Sequence, residues 1–198
     1  MPPMATPALP GARRRGLIFW IMAIILTLIF LGGLVVLVAW LTIKPKRLDY
    51  VILDASVQKY NLTNDNHLSA TFQFTIQSHN PNHKISIYYE SLELFVKFND
   101  HTLSFDTIEP FHQPRKNVTK MEDSVVAKNV AISRSDARDL RAQTKLGRID
   151  VDVYVRARVR FNVGIWKSSH RTAKIECSPV TVSLSNAKSR ITYCNTSL

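Results

Sequence analysis

The stretch "IDVDVYVRARVRFNV", residues 149–163, carries an apolar side chain at every odd position from Ile149 to Val163 and a polar one at every even position. Successive side chains of a strand point to opposite faces, so this period of two predicts one long strand with a buried side and a wet side. The wet side holds Asp150, Asp152 and Tyr154, then Arg156, Arg158 and Arg160 in a row. Three readings compete for that row: a nucleic-acid stripe, a surface that meets an acidic polymer or lipid headgroups, and a solvated face paired with acids across the ladder. The third is the simplest. The compartment decides between the other two.

The same period recurs in "LSATFQFTIQ", residues 68–77, where Leu68, Ala70, Phe72, Phe74 and Ile76 alternate with polar residues, and more briefly at residues 51–57, 92–98 and 173–177. Loops are expected at residues 61–67, 78–84, 99–101 and 110–117, which are rich in Asn, Asp, Pro and His. At Pro179 the apolar phase switches from odd to even, as Val180, Val182 and Leu184 show, so a β-bulge is expected there. One short helix is expected in "SRSDARDLRAQTKLG", residues 133–147: Ser133 or Ser135 caps it, Asp136 and Lys145 suit its dipole, and Gly147 closes it. Many short strands with one helix predict an all-β antiparallel sandwich.

Ahead of these strands lies "LIFWIMAIILTLIFLGGLVVLVAWLTI", 27 residues without a charge, bounded by Leu17 and Ile43. About 20 apolar residues cross a bilayer core as a helix, so residues 17–43 read as a transmembrane segment. Trp20 and Trp40 would sit about 30 Å apart, one at each interface. A cleavable signal peptide competes, but the apolar run is longer than such peptides use and no small-residue cleavage site follows it. An uncleaved signal anchor fits better. Residues 1–16, with four prolines and three arginines, read as a short disordered cytosolic tail, and residues 44–198 as the extracytosolic β domain.

Basic residues flank both ends of the span, so the positive-inside count is nearly balanced. Three glycosylation sequons, at Asn61, Asn117 and Asn195, all follow the helix and favour a C-terminal part outside the cytosol. Cys177 and Cys194 are the sole cysteines; a bridge between them would contribute about 3 kcal/mol by loop closure and would persist in an oxidising compartment. Two unpaired thiols remain the alternative.

The net charge is +11, and beyond the span 23 Lys and Arg face 15 acids, a net +8 that favours anionic partners. No P-loop, G-x-G-x-x-G, G-x-S-x-G or HExxH pattern occurs, the six histidines mostly fall in loops, and paired acids such as Asp150 with Asp152 suit a wet strand face. The reading is therefore non-enzymatic, without cofactor or metal site; His79 and His83, flanking an Asn-Pro-Asn turn, would make at most a weak one. Nucleic acid is excluded as a partner by the anchor, the sequons and the shortage of interleaved aromatics, Tyr154 being the one candidate. A homo-oligomer is allowed, with Gly32 and Gly33 offering a close helix approach.

"NPNHKISIYYE" at residues 80–90, "VRFNVGIWKSSHRT" at 159–172 and "CSPV" at 177–180, in this order after an N-terminal helix, resemble the plant harpin-induced and non-race-specific-disease-resistance-like proteins of the group 2 late embryogenesis abundant class. The resemblance implies a seven-stranded immunoglobulin- or fibronectin-III-like sandwich, a plasma-membrane anchor, and a role in pathogen defence or stress responses. Pro114 departs from the pattern, standing where the family often has Gly. Asn80, Pro81 and Asn82 suit a turn, and Tyr88 and Tyr89 should point to opposite faces. Trp166 is expected either as an exposed anchor or as a lid over the end of the domain.

Two functions follow as expectations. In the first, a single-pass plasma-membrane protein, N-terminus inside, presents its basic β domain to the wall for interaction and signalling, with wall polysaccharide, anionic lipid or defence proteins as partners. In the second, a protective protein stabilises membrane or wall surfaces under stress without a specific partner.

Overall fold

The structure is a computed structural model that describes residues 11–42, 46–184 and 189–197. It divides into two compact units, residues 1–44 and residues 45–198. The first contains one helix, α1 (Gly11–Thr42), whose stretch Ile18–Val38 has a mean hydropathy of 3.0 and leaves its apolar side chains exposed all round. A helix apolar on every side is suited to lipid, because every backbone polar group is satisfied internally. Among the described residues it starts at Gly11, so residues 11–16, expected to belong to the tail, are helical: "ARRR" contains good helix formers. Residues 1–10 and Ile43 lie outside the described residues.

The second unit runs β1 (Asp49–Leu62), β2 (His67–His79), β3 (Ile85–Phe98), β4 (His101–Ile108), β5 (Phe111–Gln113), β6 (Val118–Ala131), α2 (Arg134–Lys145), β7 (Arg148–Val163), β8 (Trp166–Lys167), β9 (Arg171–Ser183), β10 (Thr192–Tyr193) and β11 (Asn195–Ser197). The long strands form one sheet in the order β4-β3-β7-β9-β1-β2-β6, antiparallel except for a parallel contact of β1 with β9 at Ser56 and Ser183. Its two edges meet, the Ser104 hydroxyl on β4 donating to the Val126 carbonyl on β6 at 2.8 Å. The all-β class and the short helix thus stand, but the layout is a barrel-like curl of one continuous sheet rather than two separately bonded sheets. Twist accumulated over seven long strands brings the edges together and encloses one core.

That core is filled from alternate positions. On β7 the buried residues are Ile149, Val151, Val153, Val155, Ala157 and Val159, facing Leu92, Leu94 and Val96 of β3 and Ala173, Ile175 and Cys177 of β9. The bulge expected at Pro179 is present: Val153 pairs with Cys177 and Val151 with Val180, so two steps on β7 meet three on β9 and both phases of β9 point inward. A second bulge was not legible. Alternation at residues 51–57 implied an inward Val51, yet Leu53 is the extra residue between Ile52 and Asp54, so Tyr50, Ile52, Ala55 and Val57 are the buried set. Helix α2 starts where expected, with Ser133 Oγ accepting from the Asp136 amide at 3.0 Å and Gly147 at φ +73° closing the turn after it. Cys177 and Cys194 are joined as a disulfide that ties the chain ahead of β11 to β9.

The end at which the chain enters the β unit is polar inside. Asn80 and Asn82 are buried and clamp three segments: Asn82 Oδ1 accepts from the Lys46 amide (2.8 Å) and its Nδ2 donates to the Lys46 carbonyl (3.1 Å), while Asn80 Nδ2 donates to the carbonyls of Ile85 (2.9 Å) and Pro114 (3.0 Å). Pro114, the departure from the family pattern, therefore still takes part in the clamp, through a carbonyl that any residue supplies. Below it, Tyr50 and Tyr89 hydroxyls meet at 2.7 Å, and Tyr89 and Ser78 both donate to Gln113 Oε1, at 3.1 and 3.2 Å. Tyr89 is inward and stacked on Phe111, and Tyr88 outward, as their alternation requires.

Asn80→Ala removes the side-chain partner of a buried carbonyl at Ile85 and a partly buried one at Pro114, and the expected loss is about 2 kcal/mol in denaturant unfolding, with Pro114→Gly close to neutral. Burial, reinforced by Tyr89, holds the Tyr50 hydroxyl well above the ordinary tyrosine range. A raised folded pKa means that this contribution is complete below about pH 10 and is lost as pH rises beyond it. Tyr50→Phe should therefore lower Tm at neutral pH but flatten the decline of Tm above that pH, measured by circular dichroism.

Candidate functional site: a cationic face on β3, β7 and β9

The wet side of β7 lies between the matching sides of β3 and β9, and the pairing register arranges their side chains in rows. Phe95, Tyr154 and Glu176 form one row, Glu93, Arg156 and Lys174 the next, and Ser91, Arg158 and Thr172 the third. Opposite charges in adjacent strands stand close enough to pair. The three arginines accordingly have different fates.

Arg158 and Arg160 are held by one carboxylate. A bulge on β3 sets Tyr89 opposite Val159 and Ser91 opposite Arg158, making Glu90 the extra residue. Its half-buried carboxylate accepts from Arg160 Nε at 2.6 Å and Arg158 Nε at 3.4 Å. His170 completes the group, with Nδ1 2.7 Å from Glu90 and Nε2 2.6 Å from Arg160 Nη2. The tautomer that satisfies both contacts carries its proton on Nδ1, donates it to Glu90, and accepts from Arg160 at Nε2. The bulge is thus what gathers three basic side chains around one acid.

Arg156 is freer. Its nearest carboxylate, on Glu93, is 3.9 Å away, and both side chains are well exposed. Beside it opens a groove of about 600 Å³ lined by Phe95, Lys97, Tyr154, Arg156, Lys174 and Glu176, with Asn195, Thr196 and Ser197 of β11 along one rim. Lys97 Nζ lies 4.6 Å from the centre of the Tyr154 ring, and Phe95 stacks on the exposed Phe105. Tyr154 donates its hydroxyl to Glu176 at 3.0 Å; that hydrogen bond raises its pKa and occupies the groove's acid. Three cations and an aromatic wall around one engaged carboxylate suit an anionic ligand with an apolar ring face. The sequence pointed to the strand but not to the groove, because Lys97, Lys174 and Phe95 join Arg156 only through cross-strand register.

The other singled-out residues lie elsewhere. Asn61 and Asn195 are exposed, whereas Asn117 is half-buried, its Oδ1 accepting from Thr119 Oγ1 and its carbonyl from the Asn80 amide. Trp166 is exposed at the β7–β8 turn, and Trp20 is exposed on α1. The side chains of Leu17 and Trp40 lie outside the described residues. His79 bonds Asp49 at 3.4 Å, while Asp150 and Asp152 accept from Thr181 and Ser178. These acids serve the sheet.

An apolar helix ahead of a barrel-like β unit with a cationic outer face defines a class of helix-preceded β-domain proteins. The chain belongs to the LEA_2 family, described as late embryogenesis abundant protein, whose model matches residues 75–178. It is 39% identical over 180 residues to an uncharacterized protein of Arabidopsis thaliana, covering 90% of this chain and 81% of that one. It is also 28% identical to the NDR1/HIN1-like protein 10 of the same plant, covering 96% and 88%. A solution structure of a further Arabidopsis thaliana protein is similar at a TM-score of 0.31 and 12% identity, covering 72% of this chain and 89% of that one.

Replacing Glu90 by Gln should release Arg158 and Arg160, so that affinity for a polyanion at low salt rises several-fold while Tm falls slightly. Equal affinities of wild type and variant in a titration would show that Glu90 does not mask the pair.

Proposed function

We propose that this is a single-pass protein of the plant plasma membrane, acting in defence or stress responses, which presents its β domain outside the cytosol to acidic wall polysaccharide. The groove beside Arg156 carries the reading: Lys97, Arg156 and Lys174 supply charge for uronate carboxylates, and Tyr154 and Phe95 a surface for sugar rings. The apolar helix supports an anchor, the three sequons support an extracytosolic β domain, and membership of the family supports the defence or stress setting. On this reading Arg156 contacts the ligand, and Arg158 and Arg160, engaged by Glu90, do not. A glycan on Asn195 would crowd the groove, so ligand binding and modification of that sequon compete.

Titration of the full chain in nanodiscs with an oligogalacturonate tests this. Arg156→Gln with Lys174→Gln should weaken binding about ten-fold, while Arg158→Gln leaves it nearly unchanged; each lost charge contact is worth about 0.7 kcal/mol, within the range for exposed pairs. Binding equally weakened by any of the three substitutions, and abolished by moderate salt for every polyanion tried, would favour the protective role without a specific partner.

A further inference from the structure

The turn between β7 and β8 projects two large apolar side chains into solvent. Gly164, at φ +60°, and Ile165 form its two-residue loop; Ile165 is fully exposed and Trp166 is 65% exposed. Glycine at the first loop position is favoured in such a tight hairpin. An exposed Ile-Trp pair at a hairpin tip leaves most of its apolar surface uncovered by its own domain, so folding alone does not account for it.

Its place in the fold supplies a partner. Ile85, at the start of β3, pairs with Val163, the last residue before the tip. Ile85 also accepts from Asn80, and Asn82 holds Lys46 on both its amide and its carbonyl. The tip, the Asn80–Asn82 turn and the turn before β6 thus share the end of the β unit at which the chain enters. Three residues, 43–45, separate Lys46 from Thr42, the last residue of α1, a tether of no more than about 14 Å. This end is also basic: Lys46, Arg47, Lys84, Arg115, Lys116 and Lys167 are exposed there, and residues 80–84, 114–117 and 164–167 contain no acid. Desolvation, with the added charges of Lys116 and Lys46, lowers the His83 pKa, in keeping with this concentration of charge.

We propose that this end of the domain docks on the bilayer surface, with Ile165 and Trp166 inserted at the headgroup level and the six cations against lipid phosphates. Indole rings favour that depth, and basic residues around a small apolar insertion add electrostatic attraction to anionic lipid. The helix then acts as one anchor and the hairpin tip as a second. The proposal rests on α1 spanning the bilayer.

The test uses the full chain, made without glycans and reconstituted in phosphatidylcholine vesicles containing phosphatidylglycerol and lipids brominated high on the acyl chain. In one variant Trp20→Phe and Trp40→Phe leave Trp166 as the reporter; in another Trp40→Phe and Trp166→Phe leave Trp20. Trp166 emission should shift to the blue and fall about two-fold on bromination, as expected of an interfacial indole. Lys84→Gln, Arg115→Gln and Lys116→Gln together should reduce that quenching. Quenching of Trp20 with Trp166 unquenched and open to aqueous acrylamide would overturn the docking alone; absence of quenching at both would overturn the span and the docking with it. Undiminished quenching in the triple variant would overturn the electrostatic half.

Discussion

The period-two side-chain order of β7, bonded on both sides over most of its length, is the constraint on which the β unit depends. A strand paired with β3 and β9 cannot slip by one residue without exchanging its valines for its arginines, so the register is fixed by hydrophobic burial. Once it is fixed, the positions of the outer side chains are fixed as well. The cationic face is a by-product of the same alternation that fills the core.

Bulges then give that face its detail. The extra residue at Glu90 turns a carboxylate toward Arg158 and Arg160 and leaves Arg156 in looser contact with Glu93. A face that looks uniform along one strand is therefore divided into a neutralised part and an available part. At the chain-entry end, the buried amides of Asn80, Asn82 and Gln113 replace apolar packing with hydrogen bonds to the carbonyls of strand ends and of the entering chain, which suits a place where several segments converge.

Legibility followed burial. β2, β3 and β7, with one dry and one wet face, were readable from alternation, as were the helix at residues 133–147 and the bulge at Pro179, where composition and phase change together. β6 was not. Its fully buried residues are Val125 and Ala127, and its other inward positions are only half-buried and include the polar Thr119 and Asp123, so its apolar signal is diluted. The bulges at Leu53 and Glu90 left no mark in composition, since neither involves glycine or proline. The groove combines residues from five strands, and single-strand patterns carry no information about cross-strand neighbours.

The amino-acid sequence by itself determined the unbroken apolar helix, the β class and the residue types on the wet face of β7, because each depends on local composition or on a period along one chain; the family was legible as a resemblance carried by three short motifs. Tertiary structure alone decided that the sheet curls into one barrel-like layer, that Glu90 engages two of the three arginines, and that Asn82 ties the chain entry to the end bearing Ile165 and Trp166. Those outcomes depend on register and twist. Both are set by how separate strands pack together, and no single segment encodes them.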